Sequence, residues 1–340
     1  MTPPRSPWIA VAALAALFLC ACGHDAADSK ESPTATPASA GSAPSAPQLF
    51  VSASEAAPPA ARTGGFDGAK AYDHVAKLVS FGPHPPASDA IHNAQSYIHS
   101  QLQGFGCAVD DDNFNAQTPI GTLRMKNIVA KIPGTGQGVI LLLTHYDTLR
   151  EDNFVGAEDS GSSTGLMLEM ARILCTAPTQ PKSVWIAFLD GEEAQVVENG
   201  DAKWTDTDSV YGSRELAASL AVSGDLKRIH AVILADMIGQ KNLEILRETS
   251  STKWLTDLVW RTAAKLGYKD IFISRQMEIS DDHQPFLHRN LAATDIIDLA
   301  GFQNEGYWHT PQDTLDKVSP RSLAIVGHVI LESVAEIQRR

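Results

Sequence analysis

Short runs of consecutive apolar residues alternate along this chain with longer segments in which apolar residues recur every three or four positions. The runs predict β-strands that are buried on both faces, and the spaced segments predict amphipathic helices. The predicted strands are 109–114, 125–132, 138–144, 184–189, 231–235 and 293–299. The predicted helices are 67–79, 88–102, 163–177, 212–221, 252–266 and 319–338. This alternation predicts an α/β fold, a central mixed, mostly parallel twisted sheet with helices on both faces.

The N-terminal segment follows a different pattern. An apolar run from Trp8 to Cys22 is too short to span a bilayer but has the length of a signal-peptide core. It ends in Leu-Cys-Ala-Cys at 19–22, which resembles the lipobox of bacterial lipoproteins and implies lipidation of Cys22. Cleavage near Ala21 without lipidation, giving a soluble periplasmic or secreted protein, is the alternative. Because Gly23 replaces the aspartate associated with inner-membrane retention, we expect an outer-membrane anchor that faces the periplasm.

The residues after this signal predict a tether followed by one folded domain. Residues 23–64 are rich in Ala, Ser and Pro, and the first aromatic residue among them is Phe50. Such a composition buries too little apolar surface to fold, so we expect a flexible tether. Residues 65–340 are long enough for a single catalytic domain, which we expect to be monomeric.

Charge and cysteine content narrow the function classes further. The net charge of −13, without a basic stripe, argues against nucleic-acid binding. Once Cys20 and Cys22 are assigned to the signal, Cys107 and Cys175 remain. These two cysteines either pair in an oxidising compartment or stay as buried thiols, and the sequence leaves both alternatives open.

Carboxylate and imidazole side chains cluster directly after the predicted strands. Strand 184–189 runs into Asp190, Gly191, Glu192 and Glu193. Three carboxylates at the end of a buried strand are unfavourable unless a positive charge lies beside them, although in isolation the motif is also compatible with a solvated acidic loop. Similar groups follow the other strands or come later in the chain: His145, Asp147, Glu158, Asp159, Asp236, Asp281, Asp282, His283 and His309.

This set of residue types points to a catalytic metal. Functional residues of open α/β sheets collect at the carboxyl ends of the strands. Oxygen and nitrogen ligands without a thiolate suit a catalytic zinc ion. Of two adjacent glutamates, one can bind the metal while the other remains free as a general acid or base.

The order His-x-Asp, Asp, Glu-Glu, Asp, His resembles the zinc-dependent exopeptidases of family M28, and among them the glutaminyl-peptide cyclotransferases. The motifs that carry the resemblance are DNFNAQTPIG at 112–121, THYD at 144–147, VGAEDSGSS at 155–163, FLDGEEA at 188–194, WTDTDSVYGSR at 204–214, SDDHQPFL at 280–287 and YWHT at 307–310. The resemblance extends from about residue 82 to the C-terminus and implies the same α/β fold.

The resemblance also implies a role for each site residue. One zinc ion, or two, would be the cofactor, with Asp159, Glu193 and His309 as ligands. Glu192 would be the acid/base catalyst, and the substrate-contacting carboxylates would be Asp236 and Asp281. The remaining residues fall into two groups, the pocket-lining Trp204 and Trp308, and the second-site or outer-layer metal residues His145 and Asp147.

The implied reaction converts the N-terminal glutamine of a peptide or protein to pyroglutamate and releases ammonia. A zinc aminopeptidase with one or two metals is the alternative, because the string ADMIG at 235–239 is also typical of M28 peptidases. The polar loop 194–203 is longer than expected for a cyclase and leaves this choice open. A third hypothesis is a non-catalytic binding lipoprotein, which would be expected to lack the base or a ligand.

Overall fold

A computed structural model describes residues 55–198 and 201–340 of the chain. The predicted signal peptide, the lipidation site Cys22 and residues 23–54 of the predicted tether lie outside the described residues. None of the described helices is both long and apolar enough to span a membrane.

The described part of the chain forms ten strands and eight α-helices. The strands are β1 (Ala108–Thr118), β2 (Gly121–Ile132), β3 (Val139–His145), β4 (Ser183–Leu189), β5 (Val197–Glu198), β6 (Asp201–Ala202), β7 (Ile229–Asp236), β8 (Ile245–Glu248), β9 (Phe272–Met277) and β10 (Ala293–Ile297). The helices are α1 (Gly68–Val79), α2 (Asp89–Gly104), α3 (Gly161–Thr176), α4 (Tyr211–Ser223), α5 (Lys253–Lys265), α6 (Gln284–Leu287), α7 (Leu299–Glu305) and α8 (Pro320–Gln338).

Six strands form the central sheet, in the order β1-β2-β4-β3-β7-β10. Strands β4, β3, β7 and β10 are mutually parallel, and β2 runs antiparallel to both of its neighbours. Alternate residues of β3 enter different apolar clusters: Ile140 packs in the cluster with α1, α3 and α8, whereas Leu141 packs in the cluster with α4. Helices therefore cover both faces, and the predicted mixed, mostly parallel α/β fold is confirmed.

Each strand and helix predicted from the apolar pattern is present, with small shifts at the ends. The last predicted strand, 293–299, was extended too far, because β10 ends at Ile297 and Asp298 begins α7 by accepting a hydrogen bond from the Gly301 N–H at 3.0 Å. The pattern missed several short elements that lack a long apolar repeat. These are β5, β6, β8, β9, α6 and α7.

The described residues before α1 contact the domain. The N–H of Arg321 donates to the carbonyl oxygen of Glu55 at 3.1 Å, and Thr63 is buried. Phe66 packs against α8 at Gly327, where an added Cβ would lie 2.4 Å from the phenyl ring. Residues 55–64, which the sequence assigns to the tether, thus include contacts with α8.

A disulfide bond joins Cys107 to Cys175. It links the segment between α2 and β1 to the last turn of α3. Of the two alternatives that the sequence left open, the structure contains the paired cysteines.

Candidate metal centre and active site

Asp159, Glu193 and His309 meet at the carboxyl edge of the sheet. Asp159 lies between β3 and α3, Glu193 follows β4, and His309 follows α7. One ligand atom from each lies within 4.8 Å of the other two. The Nε2 atom of His309 is 3.4 Å from Oδ2 of Asp159 and 3.5 Å from Oε2 of Glu193. The three predicted ligands therefore form one group, at a spacing that can hold a metal ion.

The state of these side chains fits a bound cation. Both carboxylate oxygens of Glu193 are buried and lack a hydrogen-bond partner among the described residues. A buried carboxylate without hydrogen bonds is unfavourable, and burial raises the pKa of Glu193 to about 8, although the nearby His309 opposes this shift. Burial lowers the pKa of His309, but Glu193 and Asp159 raise it to about 9. Two carboxylates and one imidazole match the oxygen and nitrogen ligands of catalytic zinc sites.

His145 lies behind this group and contacts three carboxylates. Its Nε2 atom is 3.0 Å from Oδ1 of Asp236 and 3.2 Å from Oδ1 of Asp159, and its Nδ1 atom is 3.5 Å from Oδ1 of Asp147. Burial lowers the pKa of His145, but Asp236 and the other two carboxylates raise it well above its usual value. His145, Asp159 and Asp236 also form a second group with ligand spacing, which shares Asp159 with the first.

The turn after β4 directs the two adjacent glutamates into the site. The carboxylate of Asp147 accepts hydrogen bonds from the N–H groups of Glu192 at 3.1 Å and Glu193 at 3.3 Å. The turn needs glycine at position 191, because its φ is +76° and an added Cβ would lie 2.6 Å from Sδ of Met125. Asp147 thus positions both glutamates through their backbone.

Asp190, the third carboxylate of this motif, belongs to neither metal-binding group. It accepts hydrogen bonds from the N–H of Lys126 at 2.9 Å and from the hydroxyl of Tyr146 at 3.1 Å. Both hydrogen bonds reach Oδ2, while the buried Oδ1 has no partner among the described residues, and burial raises the pKa of Asp190 well above its usual range.

A cavity of about 380 Å³ opens beside the metal-binding group. It is lined by Asp159, Glu192, Ala202, Trp204, Asp236, Met237, Glu278, Ile279, Ser280, Asp281, Ile297, Leu299, Trp308 and His309. Sequence reasoning missed the apolar wall formed by Met237, Ile279, Ile297 and Leu299. Each of these residues lies within two positions of a buried aspartate, namely Asp236, Asp281 or Asp298, and that adjacency was the available signal.

Glu192 faces this cavity and belongs to neither metal-binding group. Burial raises its pKa well above the usual range, and the nearby carboxylate of Asp281 adds to this effect. Asp281 accepts a hydrogen bond from the N–H of Asp282 at 2.5 Å through Oδ1, while its buried Oδ2 has no partner among the described residues. Two carboxyl groups that favour protonation thus lie at the cavity, where they can exchange protons with a bound molecule.

The two predicted tryptophans line the same cavity. The indole of Trp308 stacks on the imidazole of His309, with ring centroids 4.2 Å apart and an interplanar angle of 29°. Its buried Nε1 lacks a hydrogen-bond partner among the described residues. Trp308 therefore presents an apolar surface together with a free donor, and Trp204 lines the cavity just after β6.

The sequence singled out His283, but sequence reasoning missed Glu248 and Asp295, which form a polar cluster with it behind Asp281. Glu248 is the last residue of β8, and its Oε2 atom is 3.2 Å from Nε2 of His283. The Nδ1 atom of His283 is 3.8 Å from Oδ2 of Asp295 in β10. Asp295 in turn raises the pKa of Asp281, after burial itself. The charge of Asp281 thus depends on strands that are distant in sequence.

Comparisons with known proteins agree with this geometry. The model of peptidase family M28 matches residues 127–334. A solved glutaminyl cyclase from an Acidobacteriales bacterium is 39% identical with a TM-score of 0.76, and the match covers 81% of this chain and 96% of that one. A glutaminyl-peptide cyclotransferase of Boiga irregularis is 27% identical over 76% of this chain and 78% of its own length.

A solved Zn-dependent exopeptidase from Parabacteroides distasonis is 29% identical with a TM-score of 0.71, and the match covers 81% of this chain and 99% of that one. The family model spans more than half of the chain, and the Acidobacteriales cyclase is matched over nearly its full length. The chain therefore belongs to peptidase family M28 and, within it, to the glutaminyl cyclases.

Proposed function

We propose that this protein is a zinc-dependent glutaminyl-peptide cyclotransferase, which converts the N-terminal glutamine of peptides and proteins to pyroglutamate and releases ammonia. The supporting observation is the content of one cavity. A metal-binding group, a buried glutamate outside that group and two tryptophans all meet there. The names of the related cyclases support the same reaction.

Asp159, Glu193 and His309 would hold a single zinc ion. Three protein ligands leave a fourth position for substrate, which is typical of catalytic zinc and unlike closed structural sites. A zinc ion bound there would supply Lewis-acid polarisation of the glutamine γ-carbonyl.

Glu192 would carry the protons of the reaction. In cyclisation, the α-amine nitrogen bonds to the γ-carbon and the bond from that carbon to the amide nitrogen breaks. The amine gives up one proton and the departing nitrogen gains one, so a single carboxylate can accept the first and donate the second. Glu192 lies at the cavity and belongs to neither metal-binding group, so its carboxylate can transfer protons without also binding the metal.

The cavity would select the bent conformation of the substrate. Nucleophile and electrophile belong to the same residue, so the enzyme has only to hold that residue folded back on itself. Trp204 and Trp308 would enclose the side chain, and the indole N–H of Trp308 has no hydrogen-bond partner among the described residues. Asp236 and Asp281 would contact the α-amine and its protons.

A zinc aminopeptidase with one or two metals is the second candidate. The observation that favours it is the group of His145, Asp159 and Asp236, which shares Asp159 with the first group and has ligand spacing. The similar exopeptidase from Parabacteroides distasonis supports it as well. A non-catalytic binding lipoprotein is less well supported, because the chain retains Glu192 at the cavity and all three proposed ligands in one metal-binding group.

Loss of the ligands tests the zinc proposal. We expect Asp159→Ala, Glu193→Ala and His309→Ala each to lose zinc and ammonia release together, because each removes one of three protein ligands. Metal analysis and an assay on a glutamine-initiated peptide measure both. Glu169→Gln is the matched control, since Glu169 is a buried carboxylate that bonds to Asp67 and Arg172. A ligand variant with full zinc and full turnover would contradict the assignment.

We further propose that the mature protein is a monomer, lipidated at Cys22 and anchored in the outer membrane on its periplasmic side. The lipobox-like residues 19–22 support this proposal. Cys22→Ala should move the protein from the membrane fraction to the soluble fraction, and mass spectrometry of the wild-type N-terminus should find lipid on Cys22. An unmodified N-terminus elsewhere would favour the soluble periplasmic or secreted form.

A further inference from the structure

Asp313 connects the two loops that carry Asp159 and His309. Its carboxylate accepts a hydrogen bond from the N–H of Glu158 through Oδ1 at 2.8 Å and another from the N–H of Asp159 through Oδ2 at 3.1 Å. Its carbonyl oxygen accepts a third from the N–H of Ala157 at 3.4 Å. One residue therefore holds three consecutive N–H groups of the neighbouring loop.

The segment that contains Asp313 also contains His309. Two successive turns fix this segment: the N–H of Thr310 bonds to the carbonyl of Tyr307 at 3.2 Å, and the N–H of Asp313 bonds to the carbonyl of Thr310 at 3.0 Å. His309 itself has a φ of +54°, which non-glycine residues adopt only when their surroundings enforce it. The position of His309 therefore depends on how its loop is held.

The carboxylate of Asp313 is well suited to this task. It is fully buried, and burying a charge without partners is unfavourable. Each oxygen accepts from one backbone N–H, and the two donors belong to the consecutive peptide units before and after Glu158. These bonds use backbone donors, so they fix the path of the Asp159 loop without competing for the Asp159 carboxylate.

We propose that Asp313 is a positioning residue that sets the spacing between Asp159 and His309 before the metal binds. The inference rests on the proposed metal site, and it assigns to that site a residue, Asp313, that supports the ligands without binding the metal. Groups that orient metal ligands typically contribute about 10–100-fold to metal affinity. Asp313 would act on two ligands at once, on Asp159 through its N–H and on His309 through the shared loop.

Zinc affinity of Asp313→Asn tests the proposal. An asparagine offers one oxygen and an NH₂ group, so one of the two N–H donors loses its acceptor. We expect the zinc dissociation constant, measured by competition with a chromophoric chelator, to rise about 10–100-fold. Glu169→Gln, which removes a buried carboxylate elsewhere, should change the dissociation constant less than about threefold while lowering thermal stability.

Comparison with Asp159→Ala separates this inference from the proposed metal site. If Asp159→Ala binds zinc as tightly as wild type, the metal site itself is wrongly assigned and the positioning role falls with it. If Asp159→Ala loses zinc while Asp313→Asn keeps wild-type affinity, the metal site stands and the positioning role is overturned.

Hydrogen exchange of the wild type keeps the inference testable even if the variant fails to fold. In zinc-free protein, the amides of Glu158 and Asp159 should already be protected, because Asp313 accepts their hydrogen bonds without the metal. Fast exchange of both amides in the zinc-free protein, with protection only after zinc is added, would show that the metal orders the loop and would overturn the proposal.

Discussion

Glu192 and Glu193 are adjacent and chemically identical, yet the structure gives them different surroundings. Both N–H groups bond to Asp147, so the backbone is held in one conformation and the two side chains diverge. Glu193 joins the metal-binding group, whereas Glu192 lines the cavity. Their proposed roles, ligand and proton carrier, follow from this turn.

The glutamine variant at position 192 tests that division of roles. Glu192→Gln keeps the size of the side chain but removes the group that exchanges protons. General acid–base catalysis typically contributes about 10²–10⁴-fold, so we expect turnover on glutamine-initiated peptides to fall by that order. Zinc content, measured on the same sample, should match that of wild type. Near-normal turnover would remove Glu192 from the reaction.

A buried histidine far from the cavity gives the protein a predictable response to acid. His74 lies in α1, and its Nδ1 atom is 2.6 Å from the hydroxyl oxygen of Tyr97. Burial lowers its pKa, and together with the charges of Arg172 and Lys70 it brings the pKa from 6.5 to about 4. As the pH falls below about 6.5, the unfolded chain gains a proton at His74 that the folded protein does not gain until about pH 4. The free energy of unfolding should therefore decrease across this window as the pH falls.

The expected decrease from His74 alone is roughly 2 kcal/mol between about pH 7 and pH 5. Urea denaturation of wild type and His74→Gln at both pH values measures it. The variant cannot gain this proton, so its unfolding free energy should decrease less over the same interval. Equal decreases in the two proteins would show that His74 does not have a lowered pKa.

At the scale of elements, the apolar pattern predicted the sheet and its covering helices. Strands buried on both faces appear in the sequence as apolar runs, and the covering helices appear as apolar residues every three or four positions. Segments without such a pattern were missed: β8 and β9 pair with each other outside the central sheet, and β5 and β6 form a two-stranded hairpin just before Trp204. The left-handed backbone of Met237 and of His309 could not be predicted either. Such conformations depend on tertiary contacts that neither side chain reveals.

The disulfide between Cys107 and Cys175 joins the segment between α2 and β1 to the end of α3, across a sequence separation of 68 residues. Closing a loop of this length in the unfolded chain accounts for about 4 kcal/mol in the chain-entropy description. We therefore expect the double variant Cys107→Ser, Cys175→Ser to unfold at lower temperature and lower urea concentration. Zinc content and turnover should be retained, because the bond links α3 to the segment before β1.

A reductant provides the control for that prediction. It should lower the stability of wild type towards that of the double variant and leave the double variant unchanged. Equal stability of the two proteins under oxidising conditions would show that the bond does not contribute.

At the scale of the whole molecule, the sheet brings together residues from across the chain. The carboxyl ends of β3, β4, β7 and β10 lie at one edge, and loops at this edge contribute most of the cavity. The sequence could predict the residues whose chemistry is unusual there, because carboxylates after buried strands need an explanation. It could not predict Asp313 or Glu248, which act through backbone or side-chain contacts with residues distant in sequence.

Product analysis with two substrates tests the proposed cyclase activity most directly. Zinc-loaded protein is incubated separately with a glutamine-initiated peptide and with a leucine amide, and ammonia and peptide products are measured over time. The account predicts ammonia release from the first substrate, with a pyroglutamyl peptide that keeps all of its residues, and little cleavage of the second. Release of free glutamine or leucine faster than cyclisation would contradict it and identify the protein as an aminopeptidase.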